Sequence, residues 1–131
     1  MIYVDSCIPM YLVGAAHPFK DRVIELVPGL IESGGRFVSS AKTFQKTLHR
    51  YIAIKAKDKL ALAYSALEEM AELVLPVTKR DTDLARYYSA EFPGLSSRDC
   101  LHSAPTKNNS ISKIWTYDKC FDDVPFLTRI C

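Results

Sequence analysis

Two aspartates in this chain close short apolar runs: Asp5 ends "MIYVD" and Asp118 ends "SKIWTYD". A third, Asp99, stands in "LSSRDCLH", near the start of a helical stretch that feeds the second run, and Asp122 follows in "YDKCFDD". Carboxylates that converge on one point bind hard divalent cations such as Mg2+ or Mn2+ through oxygen. A cation held that way activates water and offsets charge on a phosphodiester. Each aspartate also has a plainer reading, as a helix cap or a solvated loop acid. Spacing by itself does not choose between them.

Basic residues supply a counterpart. Lys42, Lys46 and Arg50 recur every four residues and share one helix face, with Lys55, Lys57 and Lys59 just beyond. Such a stripe either contacts nucleic-acid phosphates or is simply a solvated face. The net charge of +2 is too small to argue for nucleic acid on its own. Cys7, Cys100, Cys120 and Cys131 show neither CxxC spacing nor disulfide-framework density, so reduced thiols are expected. The first three lie within two residues of an aspartate, which leaves a zinc or redox role open beside their reading as chance neighbours. His102, three residues after Asp99, reads as its hydrogen-bond partner or as a structural histidine.

Periodicity predicts the elements that must position these groups. Ile2, Tyr3 and Val4 form a short buried strand, and residues 9–13 a helical turn. Residues 18–32 have helical spacing, with a kink or split at Pro28-Gly29. A short strand at Phe37-Val38 leads, through a serine cap, into helices over 41–56 and 59–71. "ELVLPV" is a strand, Asp81 caps a helix to about residue 92, and 98–106 is a helix that Pro105 shortens or bends. "SKIWTYD" is the next strand, with Trp115 in the core. Strands separated by helices imply a parallel sheet with helices on its faces, and functional groups then gather at the strands' carboxyl ends. With 48% hydrophobic and 24% charged residues, the chain reads as one globular domain over 1–131. No apolar run reaches the roughly 18–20 residues of a membrane span, and no basic flank marks a secretory signal, so a cytoplasmic protein is expected.

Three stretches in register carry a resemblance that covers nearly the whole chain, the intervening "FQKTLHRYIAI" helix included: "MIYVDSCIPMYL", "LSSRDCLH" and "IWTYDKCFDDVPFL". Together they resemble the PIN-domain ribonucleases, in particular the toxin half of VapBC-type toxin–antitoxin pairs. The resemblance implies an α/β, PIN-like three-layer fold with a central parallel sheet of four to five strands. It implies cleavage of RNA phosphodiesters with Mg2+ or Mn2+. By this resemblance Asp5, Asp99 and Asp118 are the catalytic, metal-holding acids, Asp122 is an accessory ligand, and Ser6 and Thr116 are pocket hydroxyls. Lys42, Lys46 and Arg50 become a phosphate-contacting edge on the pocket wall. The implied partners are RNA, a second copy of the chain, and a small VapB-like antitoxin that covers the acid pocket. The exposed half of "IPMYLVGAA" is a candidate partner surface.

The fourth acid is where this chain departs from the pattern. The register of "QKTLHRY" puts Lys46 where the family carries a glutamate, and Gln45 points about 100° away around the helix. A protonated ammonium cannot ligate a cation, and surrounding carboxylates raise its pKa and keep it charged. Four acids would present about −4 to two divalent ions; three acids and a lysine present about −2. Reduced or absent metal-dependent cleavage is expected. The alternative is an inactive module that binds RNA or an antitoxin without cutting.

Overall fold

Alternation along the first strand, β1 (Ile2–Val4), sorts its side chains onto two faces. Ile2 and Val4 join a cluster with Ile8, Val23, Phe37, Phe44, Leu67 and Trp115. Tyr3 points the other way, into a cluster with Val38, Ala104, Ile114 and Phe121. Full burial of side chains such as Ile8 or Phe121 contributes about 1.5–3 kcal/mol each. The sheet is therefore covered on both sides, which is why its strands read as apolar runs.

The computed structural model describes residues 1–131. After β1 come β2 (Phe37–Ser40), β3 (Leu73–Leu75), β4 (Lys113–Trp115) and β5 (Thr128–Ile130). They form one five-stranded sheet in the order β3-β2-β1-β4-β5, with every neighbouring pair parallel. The crossovers that parallel pairing requires contain α1 (Cys7–Val13), α2 (Pro18–Glu32), α3 (Ala41–Ala53), α4 (Lys57–Met70), α5 (Lys79–Glu91) and α6 (Ser97–Asn108). A short 3-10 helix at Lys119–Asp123 precedes β5. This is the expected α/β, PIN-like three-layer arrangement.

Three local expectations change. Pro28 neither splits nor ends α2, which runs as one helix. Pro28 and Ile24 both face solvent, so water can reach the Ile24 carbonyl that loses its helical donor. Pro105 likewise lies inside α6, which continues to Asn108. One missing hydrogen bond does not outweigh a helix face that buries six consecutive-turn residues from Cys100 to Thr106. Asp81 is not the cap of α5. Thr78 is, and Asp81 sits three residues on, completing a capping box by accepting the Thr78 N–H at 2.8 Å.

Chain direction reverses across the sheet at β1 and β4: the chain builds outward from β1 to β3, then returns to pair β4 with β1. In open parallel sheets, ligands bind at such a switch, outside the strands' carboxyl ends. Asp5 follows β1 and Asp118 lies three residues past β4.

Candidate active site

Asp5 is 1% exposed and heavily contacted. Its Oδ1 accepts the Ser6 N–H at 2.6 Å, the Ser6 hydroxyl at 3.3 Å and the Lys46 ammonium at 3.1 Å. Its Oδ2 accepts the Thr116 hydroxyl at 2.6 Å. His102 Nε2 also lies 3.1 Å from Oδ1. That nitrogen has no aligned hydrogen bond, so the contact is electrostatic proximity rather than a directed bond. Burial alone would raise the Asp5 pKa, but His102, Lys46 and Thr116 more than offset it and hold the carboxyl well below the usual range.

Lys46 comes from α3, which starts at the carboxyl end of β2 and so projects its first turns over the site. Its side chain is 31% exposed, with the amine turned inward to Asp5. Burial works against its charge, but Asp5 dominates and raises its pKa. The ammonium therefore stays protonated against the most buried acid of the site. Tyr3 backs this arrangement: its hydroxyl meets Ser40 at 2.6 Å, Thr43 at 2.9 Å and His102 Nδ1 at 3.5 Å.

Asp99 and Asp118 are brought together with Cys120, while Asp5 lines the same cleft as Asp118 without joining that group. One ligand atom each from Asp99, Asp118 and Cys120 lies within 4.8 Å of the others. Asp99 is presented by the first turn of α6, whose cap Ser96 accepts the Asp99 N–H at 3.1 Å. Asp118 caps the 3-10 helix by accepting the Cys120 N–H at 2.9 Å. Thr116 ties the two halves, since its hydroxyl donates to Asp5 and accepts the Asp118 N–H at 3.1 Å. The two carboxylates suit one hard divalent cation. Cys120 adds little to that: its hydrogen bond to Asp118 and the acid charge hold the thiol protonated. The residues present thus fit one cation between Asp99 and Asp118, and they do not fit a four-acid, two-ion centre.

Asp122 is not brought to this cluster. Arg129 takes both of its carboxylate oxygens, at 2.8 and 3.0 Å. His102 faces Asp5 and Tyr3 rather than Asp99. A cleft of about 420 Å³ opens over Asp5 and Asp118, and its walls carry Lys46, Arg50, His49 and Arg98. Lys42 lies one turn before Lys46 and donates to Gln45 at 2.6 Å; burial first, then the charges of Arg98 and Lys46, lower its pKa. Arg98 is the basic residue that helical spacing missed. Its adjacency to Asp99 in "SSRDC" was the available signal.

The PIN domain family matches residues 2–127. The chain belongs to the PIN-domain family. A VapC ribonuclease of Mycobacterium bovis is 38% identical to this PIN-domain chain over 130 residues, 99% of each protein. Ribonuclease VapC23 of Mycobacterium tuberculosis is 32% identical over 118 residues, covering 90% of this chain and 93% of its own length. This PIN-domain protein is accordingly VapC-like. Among solved structures, the Mycobacterium tuberculosis toxin VapC20 superposes with a TM-score of 0.76 at 15% identity, covering 97% of both chains. VapBC2 of Rickettsia felis, solved with a promoter DNA fragment, gives 0.75 at 13% identity over 99% of this chain and 98% of its own. At such identities the superpositions speak for the PIN fold alone.

Proposed function

We propose that this chain is a VapC-type endoribonuclease whose metal-dependent activity is attenuated by Lys46. The observation that carries the reading is the lysine ammonium 3.1 Å from Asp5, in a cleft that also presents Asp118 and three further basic side chains. The 38% identity to a VapC ribonuclease supports the reaction class. Residues 1–131 then act as one PIN unit, with a sheet built from segments near both ends of the chain.

In this reading Asp99 and Asp118 would hold a divalent cation, Mg2+ or Mn2+, which when bound supplies an activated water and offsets phosphate charge. Lys46, Arg50 and Arg98 hold the RNA backbone against the cleft, with Lys42 extending the basic edge. Thr116 fixes the spacing between the Asp5 carboxylate and the Asp118 backbone. Asp5 orients Ser6 and Thr116, but its charge is largely neutralised by Lys46 and so contributes little to cation affinity. Asp122 holds the segment before β5 through Arg129 rather than serving as a ligand.

The same ion pair favours a second reading, an inactive module that binds RNA or an antitoxin without cleavage. A cleavage assay on single-stranded RNA with Mn2+ and Mg2+ separates the two. Weak cutting that disappears in Asp118→Asn supports the enzyme, and no cutting at any metal concentration supports the module. A VapB-like antitoxin is the proposed protein partner under either reading, with a second copy of the chain as a further one. An apolar hollow of about 690 Å³ lined by Leu12, Val27, Ile31 and Met70 offers a docking face that includes α1.

A further inference from the structure

The basic cleft does not end at Arg50. Cys7, Met10 and Arg50 line both that cleft and a second hollow of about 400 Å³, whose far wall carries Tyr11, His17 and Tyr51. The two hollows adjoin through these three shared residues, with cations at the acid end and aromatic rings beside Lys59 at the other. His17 is exposed, yet it is held in place. Its Nδ1 accepts the Phe19 N–H at 3.0 Å, capping α2. Its ring lies 5.0 Å from Tyr11 and 5.1 Å from Phe19, and Phe19 in turn stacks on Tyr117 at 4.1 Å. Because Nδ1 accepts, neutral His17 carries its proton on Nε2, where no protein group receives it.

We propose that this hollow is a nucleobase subsite. It takes the base of the nucleotide adjacent to the phosphate held by Lys46, Arg50 and Arg98, with the His17–Tyr11 pair as the stacking surface and His17 Nε2–H as a donor to the base edge. The proposal rests on the RNA reading above and extends it. Single-stranded RNA is recognised by two kinds of group in alternation, cations for the backbone and aromatic faces for splayed bases. Here a preformed aromatic shelf and a preformed cationic cleft meet at one shared arginine. A purely structural role for the aromatic cluster accounts for Phe19 on Tyr117. The cap of α2 accounts for how the His17 ring is held, and it leaves the Nε2 donor unused beside the hollow.

The test is binding of a labelled RNA pentanucleotide and of a set of the same oligonucleotides with one abasic position each, followed by fluorescence anisotropy with and without Mn2+. His17→Asn keeps a side-chain acceptor for the cap and removes the ring, so folding is preserved. The expected result is a weakening of intact RNA by roughly fivefold or more in His17→Asn. One abasic position should bind the unmodified protein more weakly and show no further loss in the variant, because base and ring are coupled. Equal losses in the variant at every abasic position, or no loss at all, would overturn the subsite and leave the RNA reading intact. Failure of the unmodified protein to bind any of the oligonucleotides would overturn both.

Discussion

Lys46 Nζ donates to Asp5 Oδ1 at 3.1 Å, joining two residues 41 apart in sequence and placing an ammonium against the most buried acid of the site. A buried carboxylate that loses its cation keeps its desolvation cost. Lys46→Met, which preserves the length of the apolar stem, should therefore destabilise the fold by roughly 1–3 kcal/mol at pH 7. The remaining contacts from Ser6, Thr116 and His102 limit the loss. Urea unfolding of both proteins measures it, and equal midpoints would show that the pair contributes nothing to stability.

The pH dependence of that difference follows from the two shifts. Asp5 is lowered, so its contribution is complete above the unfolded carboxylate value of about 3.9 and is lost as pH falls through the lower folded value. Lys46 is raised, so its contribution is complete below about 10.4 and is lost as pH rises through its higher folded value. The stability gap between the unmodified protein and Lys46→Met should be constant from about pH 5 to about pH 10 and shrink outside that window. Chemical denaturation across the range reads this directly; a gap that grew on acidification would contradict it.

Thr116 is fully buried and serves both halves of the site, donating to Asp5 at 2.6 Å and accepting from the Asp118 N–H at 3.1 Å. Thr116→Val keeps the shape and removes both bonds. It should cost roughly 1–3 kcal/mol and weaken cation binding, because the Asp118 backbone loses its anchor. Paired urea and Mn2+ titrations check the two effects; normal metal affinity in a destabilised variant would confine Thr116 to a structural role.

Cys7 sits 3.9 Å from Asp5 Oδ2 and 3.6 Å from the Thr116 hydroxyl. Burial, then the Asp5 charge, pushes its thiol up to about 12. The thiol therefore stays protonated at pH 8. Iodoacetamide should label the exposed Cys131 first and leave Cys7 and the buried Cys100 to the end, with the order abolished in urea. Early labelling of native Cys7 would contradict its burial beside Asp5 and Thr116.

Much of the fold was legible because its signals are local. The apolar residues of Ile2–Val4 and of Ile114-Trp115, bounded by helical spacing, imply a parallel sheet, and the carboxyl-end rule places Asp5 and Asp118 on one edge of it. The family resemblance and the register of "QKTLHRY" together single out Lys46, and α3, beginning directly at the end of β2, carries its ammonium to Asp5. What stayed hidden depends on partners distant in sequence. The resemblance offers Asp122 as an accessory ligand, but Arg129, seven residues on, holds both of its carboxylate oxygens. For His102, sequence leaves open a partner role for Asp99 and a structural one; the buried ring lies against Tyr3 and Asp5 instead of Asp99. Strand β5 has only three residues with a polar start and centre, too short for periodicity to register. At Pro28 and Pro105, where a split and a shortened helix are expected, sequence shows the lost hydrogen bond and conceals the solvent or packing that offsets it.

The central claim is that Lys46 occupies the charge position a fourth acid would hold and so weakens metal-dependent cleavage. Mn2+ binding by isothermal titration, run beside an RNA cleavage assay on the unmodified chain and Lys46→Glu, tests it most directly. The account predicts at least tenfold tighter Mn2+ binding in Lys46→Glu, with a gain in cleavage that Asp5→Asn removes from that background. Mn2+ affinity and cleavage in the unmodified chain equal to or above those of Lys46→Glu would contradict it.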